Sequence, residues 1–487
     1  MKEKQPSLII ALIPIILLIT LLSINVSLFG DNTISGSNQL TLLISAACAA
    51  LLGLSYNIKY KDMLKGAVDS ISSAMGALII LLLIGSLAGT WMMSGIVPSM
   101  IYFGLKLLSP TIFLVAACII CSIVSLATGS SWSTIATIGI AMLGIGNALG
   151  IPEGLTGGAI ISGSYFGDKM SPLSDTTNLA PAMAGTDLIS HIKYMMLTTI
   201  PSITITLIIF LIIGLNLDTQ VGQLNQIESL QKALFSSFNI SLWTFIVPAA
   251  VIFMIIKKVP AIPALLFGST AGGIYGAIFQ PDIIHEISGN LSNSGFQYLK
   301  NSYIAIINSM TIDVNIQTSN IAVNDLISTS GMSGMLNTIW LIICAMSFGG
   351  IMEKTGFLNK ITSSLLEFVS SQKSLFLTTT GTCMFLNVTA SDQYLAIVVP
   401  GRMFASSFKK YGLDPKNLSR TLEDTATVTS PLVPWNTCGA THAGVLGIST
   451  FIYLPYCFFN LISPVMTLIF AYGNIKIAKL STDKVAN

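Results

Sequence analysis

The chain has very little charge. Of its 487 residues only 9% are Asp, Glu, Lys or Arg, whereas 52% are hydrophobic. Soluble domains carry about 25% charged residues, so this chain cannot cover itself with a solvated surface. It also has only three histidines, and its only two arginines are Arg402 and Arg420. A net charge of +2 gives no reason to expect a nucleic-acid partner.

Catalytic motifs are missing as well. The sequence contains no H-E-x-x-H zinc motif, no inward Ser/His couple and no soluble catalytic segment. The seven cysteines all lie in apolar or re-entrant stretches, where the C-x-x-C spacing of Cys118 and Cys121 has no metal or redox context. We therefore expect neither an enzyme nor a bound cofactor.

What the chain has in abundance is apolar runs of about 20 residues, the length that a spanning helix needs. The mean hydropathy is +0.77. The first run, 7–29, is longer than a signal-peptide core and has no small-residue cleavage site, so we expect it to remain as the first span. The sequence predicts an all-α polytopic protein of the cell (cytoplasmic) membrane, in contact with membrane lipid.

Two polar segments of equal length interrupt these runs. They are SPLSDTTNLAPAMAG at 171–185 and SPLVPWNTCGATHAG at 430–444, which align at an offset of 259. The same offset aligns TGSSWST at 128–134 with NVTASDQ at 387–393. Several features that share one offset predict two structural repeats. We assign 1–216 to the first repeat, 217–239 to an external linker and 240–487 to the second repeat, with an external insertion at 281–331.

Each repeat is predicted to hold three spans, a re-entrant hairpin, a broken crossing and a last span. Five crossings is an odd number, so the second repeat must insert inverted relative to the first. With the N-terminus inside, 19 Lys and Arg residues fall in predicted cytoplasmic segments, and only Lys106, Lys232 and Lys300 fall in outer ones. This positive-inside bias predicts that both termini are cytoplasmic.

The polar segments have a physical reason to lie within the bilayer. Pro172, Pro181, Pro431 and Pro434 each remove a helix donor, and a membrane helix can be broken only where protein or a water-filled cavity satisfies the freed backbone. Unwound carbonyls can then bind a cation, and half-helix N-termini favour negative charge. We expect the two breaks and the two hairpin tips to form a binding site at the midplane.

Carboxylates within a membrane are functional candidates by default, and burial allows such a group to hold either a proton or a cation. Asp175 is our first choice for the exchanging carboxylate and Asp168 the second. Oxygen ligands that suit a hard cation lie around both breaks and hairpin tips. The candidate ion- or substrate-binding residues are Asp175, Asp168, Thr176, Thr177, Asn178, Ser131, Thr128, Asn387, Thr389, Asp392, Glu423, Asp424, Asn436 and Thr437. Asp175, Asp168 and Asn178 are the predicted Na⁺ ligands.

These motifs resemble the NhaC family of sodium/proton antiporters, within the larger ion-transporter superfamily of inverted-repeat carriers. The resemblance rests on TGSSWST, on GSYFGDKMSPLSDTTNLAPAMAGTDL and on EDTATVTSPLVPWNTCGATHAGVLG, and it covers nearly the whole chain. It implies exchange of Na⁺ for H⁺ by alternating access. Relatives that exchange malate and protons for lactate and Na⁺ share the motifs, so this organic-acid exchange stays open as the alternative.

Several structural alternatives stay open beside these hypotheses. Asp168 and Asp175 could pair with Lys169 or cap a half-helix, and Asp392 could cap its hairpin. Glu423 and Asp424 could pair with Arg420 at the cytoplasmic edge. The sequence also leaves open the transported ion, the stoichiometry and whether the carrier is a homodimer.

Overall fold

The computed structural model describes residues 6–29, 36–217, 221–290, 295–318, 320, 323–324 and 327–480. The fold is 82% helical. Among the described residues there is no strand, and isolated β-bridges join Val314 to Thr329 and Leu413 to Lys479. The predicted all-α class is confirmed.

The first half of the chain is a series of helices joined by short turns. In order they are α1 Leu8–Phe29, α2 Ser37–Ser55, α3 Tyr60–Met93, α4 Ile96–Leu107, α5 Pro110–Thr128, α6 Ser131–Thr134, α7 Ile140–Ala148, α8 Glu153–Met170, α9 Asp175–Ala184 and α10 Leu188–Leu215. A π turn, Ile135–Gly139, joins α6 to α7. The predicted linker 217–239 contains the helix α11 Val221–Ser237, and its residues 218–220 lie outside the described part.

The second half continues in the same manner. Its helices are α12 Ile246–Ile256, α13 Ala261–Phe279, α14 Pro281–Ser288, α15 Gly295–Thr311, α16 Leu336–Lys354, α17 Phe357–Leu366, α18 Gln372–Thr389, α19 Gln393–Lys410, α20 Pro415–Leu422, α21 Thr437–Leu446, α22 Thr450–Tyr453 and α23 Phe458–Tyr472. A π turn, Glu423–Thr427, and a 3₁₀ turn, Ser430–Leu432, follow α20. Further 3₁₀ turns are Leu242–Phe245, Ser333–Met335 and Leu454–Tyr456.

Seven of the described helices are long and apolar enough to cross a membrane, and two bent helix pairs raise the number to nine. The chain is therefore a multi-pass membrane protein. The predicted last span, 451–475, is not one straight helix, because Thr450–Tyr456 and Phe458–Tyr472 meet at 54°. Pro455, which has no N–H to donate, lies in the 3₁₀ turn just before this bend.

The two predicted hairpins are the pairs α5–α6 and α18–α19. Both turn through a residue in the left-handed region, Gly129 with φ 71° and Ser391 with φ 59°. A Cβ atom on Gly129 would lie 2.6 Å from the Cβ atom of Leu173, so the first tip packs directly on the first break. The carbonyl of Ser391 accepts a hydrogen bond of 2.9 Å from the backbone N–H of Thr437, which fixes the second tip against the second break.

The prolines act differently from one another. Residues 171–174, which include Pro172, separate α8 from α9, as predicted. Pro181 instead lies inside α9, so the prediction that it breaks the crossing is wrong: the helix tolerates one missing donor and ends only at Gly185. In the second half, Pro431 lies within the 3₁₀ turn and Pro434 within the following break.

The starting residues of corresponding helices in the two halves are separated by a constant number of residues. This separation is slightly larger than the offset of 259 at which the sequence segments align. The starting pairs are Pro110 and Gln372, Ser131 and Gln393, Glu153 and Pro415, and Asp175 and Thr437. Asp175 therefore corresponds to Thr437, and the alignment that placed it opposite Pro434 is wrong by about one helical turn. The tripeptide Ser-Pro-Leu follows the end of α8 in the first half. In the second half the same tripeptide, Ser430–Leu432, forms the 3₁₀ turn before the break.

The hydrophobic core does not divide at the boundary between the halves. One cluster joins α4, α5 and α8 to α12 and α13, and the other joins α1 and α2 to α16, α18 and α19. Each cluster thus combines residues of one hairpin with residues of the opening helices of the other half. Neither half is a separate packing unit, and the inverted arrangement itself stays a prediction.

The insertion predicted at 281–331 contains α14 and α15 and packs on α3. The hydroxyl of Ser86 donates to the carbonyl of Met310 at 3.0 Å. A Cβ atom on Gly89 would lie 1.7 Å from the carbonyl oxygen of Ser309, so only glycine allows this close approach. Residues 291–294, 319, 321–322 and 325–326 lie outside the described part.

Candidate functional site

A cavity of about 780 Å³ lies where the hairpin tips and the breaks meet. Its walls come from α3, the two hairpin tips, the first break with the start of α9, and the end of α12. The predicted site residues that line it are Thr128, Asp168, Asp175, Thr176, Asn178, Asp392 and Thr437. Lys258, Val259 and Pro260 also belong to the lining, and the sequence predicts that this segment after α12 is cytoplasmic.

Asp168 is the best-held carboxylate of the cavity. It lies near the end of α8 and is only 8% exposed. Its Oδ2 atom accepts hydrogen bonds from the backbone N–H of Ser131 at 3.0 Å and from the Ser131 hydroxyl at 2.6 Å. The Ser174 side chain also interacts with this carboxylate, which forms part of the cavity wall and can supply an oxygen ligand there.

Asp175 is placed differently. It is exposed, it lies in the first turn of α9, and its carboxylate has no hydrogen-bond partner among the described residues. The preceding residue, Ser174, caps the helix by accepting from the N–H of Thr177. The predicted alternatives of a cap and of a pair with Lys169 therefore do not apply to Asp175. Its charge faces the cavity.

The residues next to Asp175 divide between the cavity and the scaffold. The Thr176 hydroxyl hydrogen-bonds to that of Ser174 at 3.2 Å, and Thr176 lines the cavity. The Thr177 hydroxyl donates to the backbone carbonyls of Lys169 and Asp168 at 3.0 and 3.3 Å, which ties α9 to the end of α8. The amide of Asn178 donates to the carbonyls of Pro172 and Ser174 at 2.9 and 2.7 Å.

Asp392 combines two of the predicted roles. Its Oδ1 atom accepts from the backbone N–H of Leu395 at 2.9 Å and so caps α19. The side chain is also part of the cavity wall and is 7% exposed. The capping alternative is therefore correct in geometry, and the carboxylate still contributes negative charge to the cavity.

Three predicted ligands belong to the scaffold around the second tip and do not line the cavity. The amide of Asn387 donates to the carbonyl of Ala426 at 2.7 Å and to the hydroxyl of Thr429 at 2.9 Å. The side chain of Asn436 caps α21 and donates to the carbonyl of Asn387 at 3.0 Å. The Thr389 hydroxyl donates to a carbonyl one turn earlier, at 2.8 Å. All three side chains are buried.

Glu423 and Asp424 lie in the π turn and are fully buried. The Arg420 nitrogens have no hydrogen-bond partner among the described residues, so the hypothesis that these acids pair with Arg420 is wrong. Asp424 forms an ion pair with Lys169, and Glu423 has no hydrogen-bond partner among the described residues. Arg420 instead stacks on the ring of Tyr194, with 4.6 Å from its Cζ atom to the ring centroid. The π turn interrupts the regular spacing that an i, i+3 or i, i+4 pair requires.

Two buried histidines were not among the residues predicted for the site. His442 is fully buried, and its Nε2 atom lies 2.8 Å from the hydroxyl of Tyr165. His191 is also buried, and its Nδ1 atom lies 2.8 Å from the hydroxyl of Ser419. The partners are 277 and 228 residues apart in the chain, so no local motif could reveal them. Among the described residues no group of His, Cys, Asp and Glu could hold a resident metal ion.

Interrupted helices around a carboxylate-lined cavity, in a chain of apolar spanning helices, are typical of membrane transporters. The chain belongs to the Na⁺/H⁺ antiporter family, whose sequence model matches residues 163–475. This membership confirms the resemblance found in the motifs.

The chain is similar to proteins with different named substrates. It is 37% identical to the Na⁺/H⁺ antiporter NhaC of Alkalihalophilus pseudofirmus, over 91% of each chain. It is also 37% identical to the malate-2H⁺/Na⁺-lactate antiporter of Bacillus subtilis, over 89% of each chain. The arginine/ornithine antiporter ArcD of Halobacterium salinarum is 35% identical, over 97% of this chain and 93% of that one.

Proposed function

We propose that this protein is a secondary active transporter that exchanges Na⁺ for H⁺ across the cytoplasmic membrane at the carboxylate-lined cavity. Asp168 is the central residue of the proposal. Its Oδ2 atom is fixed by Ser131, and its carboxylate lines the cavity. A carboxylate that is held in this way can bind a hard cation or a proton, but not both at once.

The surrounding residues are proposed to complete the Na⁺ site. Thr128 and Thr176 contribute hydroxyl oxygens close to the first tip and break, and Asp175 and Asp392 add negative charge to the cavity wall. Asp168 takes precedence over Asp175 in this proposal, because a buried and hydrogen-bonded carboxylate is positioned for coordination, whereas an exposed one is screened by water and salt. We assign Asp175 to the attraction of cations into the cavity.

We further propose that this conformation is open to the cytoplasm. The proposal is supported by Lys258, which lines the cavity and belongs to a predicted cytoplasmic segment. Alternating access would then require a second conformation with the cavity open outward. We expect a cysteine at Ser73, an exposed residue of the cavity wall, to react with a membrane-impermeant maleimide in inside-out vesicles. Labelling in intact cells but not in inverted vesicles would reverse the proposed orientation.

The exchange activity can be tested with the full-length protein in proteoliposomes that contain a pH-sensitive dye. We expect a Na⁺ gradient to drive proton movement in the absence of malate and lactate, and a matched K⁺ gradient to drive less. The control is the same preparation with the Asp168→Asn variant. Proton movement that is indifferent to Na⁺ would contradict the proposal.

Organic-acid exchange is the second candidate function. The observation that favours it is the size of the cavity, since about 780 Å³ is far more than a bare cation fills and falls in the range of small-molecule sites. The capped N-termini of α9 and α19 and the exposed Lys258 could receive carboxylate groups. Proton movement that requires malate on one side of the membrane and lactate with Na⁺ on the other would establish this alternative.

A further inference from the structure

The ion pair of Lys169 and Asp424 is fully buried and connects the two halves of the chain. Lys169 lies in the last turn of α8 in the first half, and Asp424 lies in the π turn of the second half. The Lys169 ammonium also donates to the hydroxyl of Ser463 in α23 at 3.0 Å. This side chain therefore points away from the cavity, although it directly follows Asp168.

Asp424 is saturated by its partners. Its Oδ1 atom accepts from Lys169, and its Oδ2 atom accepts from the hydroxyls of Thr198, at 2.7 Å, and Thr467. It does not line the cavity. Binding Na⁺ would require this carboxylate to lose strong charge-assisted hydrogen bonds to these three donors. We therefore do not assign Asp424 as a direct ligand.

Glu423 also lies within the electrostatic reach of Lys169. Glu423 is buried, has no hydrogen-bond partner in the described part of the chain, and interacts electrostatically with both Lys169 and Asp168. If Asp424 lost its charge, the buried ammonium would be an unpaired cation, which is strongly unfavourable. It would be drawn toward Glu423, which itself interacts with Asp168, and positive charge would move closer to the region that is proposed to bind Na⁺.

Building on the proposed function, we propose that Asp424 is a positioning residue for the Na⁺ site. By holding the Lys169 ammonium against α10 and α23, it keeps this cation from neutralising Asp168. The two residues are predicted to have unequal importance. Removal of Asp424 alone releases a competing cation, whereas removal of Lys169 alone does not. If the pair only fastened the helices together, loss of either partner would have a similar effect.

The test measures equilibrium binding of ²²Na⁺ to purified full-length protein in detergent. We expect Asp424→Asn to weaken Na⁺ binding by about tenfold or more, within the range of typical coupling between sites. We expect Lys169→Met to bind Na⁺ at least as tightly as wild type. The double variant Lys169→Met/Asp424→Asn should recover affinity to within about threefold of wild type, since a fivefold change marks the lower limit of typical coupling.

The outcomes separate this assignment from the proposed function. Wild-type protein that binds no Na⁺ would overturn both. Wild-type binding together with normal affinity in Asp424→Asn, or with a double variant as weak as Asp424→Asn, would overturn the positioning role alone. If Asp424→Asn does not fold, Lys169→Met decides, because a tenfold loss of affinity in that variant contradicts the assignment. Ser463→Ala is the matched control, as it removes a partner of Lys169 and leaves both charges in place.

Discussion

The two places where a hairpin tip meets a broken helix share one backbone arrangement and differ in chemistry. In the first half, the hydroxyl of Ser125 donates to the carbonyl of Ser164 at 2.6 Å. At the corresponding positions of the second half, the amide of Asn387 donates to the carbonyl of Ala426 at 2.7 Å. A serine hydroxyl, which has one donor, thus makes this anchoring hydrogen bond in the first half. A larger asparagine amide makes it in the second half.

The contact at the tips differs more. Ser131 donates to the carboxylate of Asp168 in the first half, whereas the corresponding residues of the second half are Gln393 and Ser430, whose side-chain oxygens are 3.3 Å apart. One contact holds a carboxylate at the cavity and the other is neutral. At this contact the first half therefore presents the Asp168 carboxylate to the cavity, whereas the equivalent contact of the second half is uncharged and Asp392 is the acidic residue that the second tip contributes.

The strongest test of this difference between the two halves removes the charge from the contact of Ser131 with Asp168. We expect Asp168→Asn to lower exchange to the background rate of protein-free vesicles, because an amide can neither release a proton nor give a bound Na⁺ the negative charge of a carboxylate. Ser430→Ala, at the corresponding position, should lower it by no more than about threefold, as it removes one neutral hydrogen bond. Initial rates in proteoliposomes provide the measurement. Equal losses in the two variants would mean that the halves contribute alike.

The anchoring bonds offer a second test, on stability. Asn387→Ala removes two donated hydrogen bonds and should lower the free energy of unfolding by roughly 2–3 kcal/mol, whereas Ser125→Ala removes one and should cost roughly 1 kcal/mol. Thermal unfolding in one detergent, followed by tryptophan fluorescence, compares the two variants. A larger loss for Ser125→Ala would contradict the assignment of the heavier anchoring role to the second tip.

A third test compares the exposed carboxylate of Asp175 with the buried carboxylate of Asp168 in the first half. Because its charge is exposed at the cavity, we expect Asp175→Asn to raise the KM for Na⁺ only severalfold, corresponding to about 1 kcal/mol for an exposed charge. The effect should shrink when choline chloride is added, as salt screens exposed charges. Measurements of KM at low and high choline chloride test this. Complete loss of exchange at every salt concentration would instead restore Asp175 as the central carboxylate.

The helix caps at the two tips should show the smallest difference. Ser130 caps α6 and Asp392 caps α19, and loss of either cap as alanine should cost about 1 kcal/mol of stability. Asp392→Asn keeps the capping oxygen, so its melting temperature should match that of wild type. A loss in Asp392→Asn as large as that in Asp392→Ala would show that the charge, and not the cap, stabilises this tip.

Local patterns in the sequence were sufficient to predict most of the helices. The hydroxyl-rich segments predicted hairpin tips at 128–134 and 387–393, and in the structure the flanking helices end at Thr128 and Thr389 and resume at Ser131 and Gln393. These features depend on composition within one segment, which the sequence displays directly. The cavity also forms around the predicted tips and the first break.

The register of the repeat could not be predicted in the same way. The shared letters SPL suggested one offset between the halves, but the helix starts follow a slightly larger one. Identical letters do not fix backbone position, because Pro172 follows a completed α-helix whereas Pro431 is accommodated in a 3₁₀ turn. The error changed the expected partner of Asp175 from Thr437 to Pro434.

Partners distant in the chain were hidden as well. Lys169 and Asp424 are 255 residues apart, and nothing in either segment indicates that the lysine turns away from its neighbour Asp168. The same holds for Asn387 and Asn436, which looked like cation ligands because of their chemistry. Their oxygen and nitrogen atoms are used by backbone groups of the second tip and break, a role that only the packed structure determines.

The central claim is that one carboxylate, Asp168, holds either a proton or Na⁺. Proton release on addition of Na⁺ to purified protein, followed with a pH dye in weakly buffered detergent solution, tests it most directly. We predict that wild-type protein releases protons in a saturable manner and that Asp168→Asn, confirmed as folded by its melting temperature, releases none. Release of the same number of protons by Asp168→Asn would contradict the account.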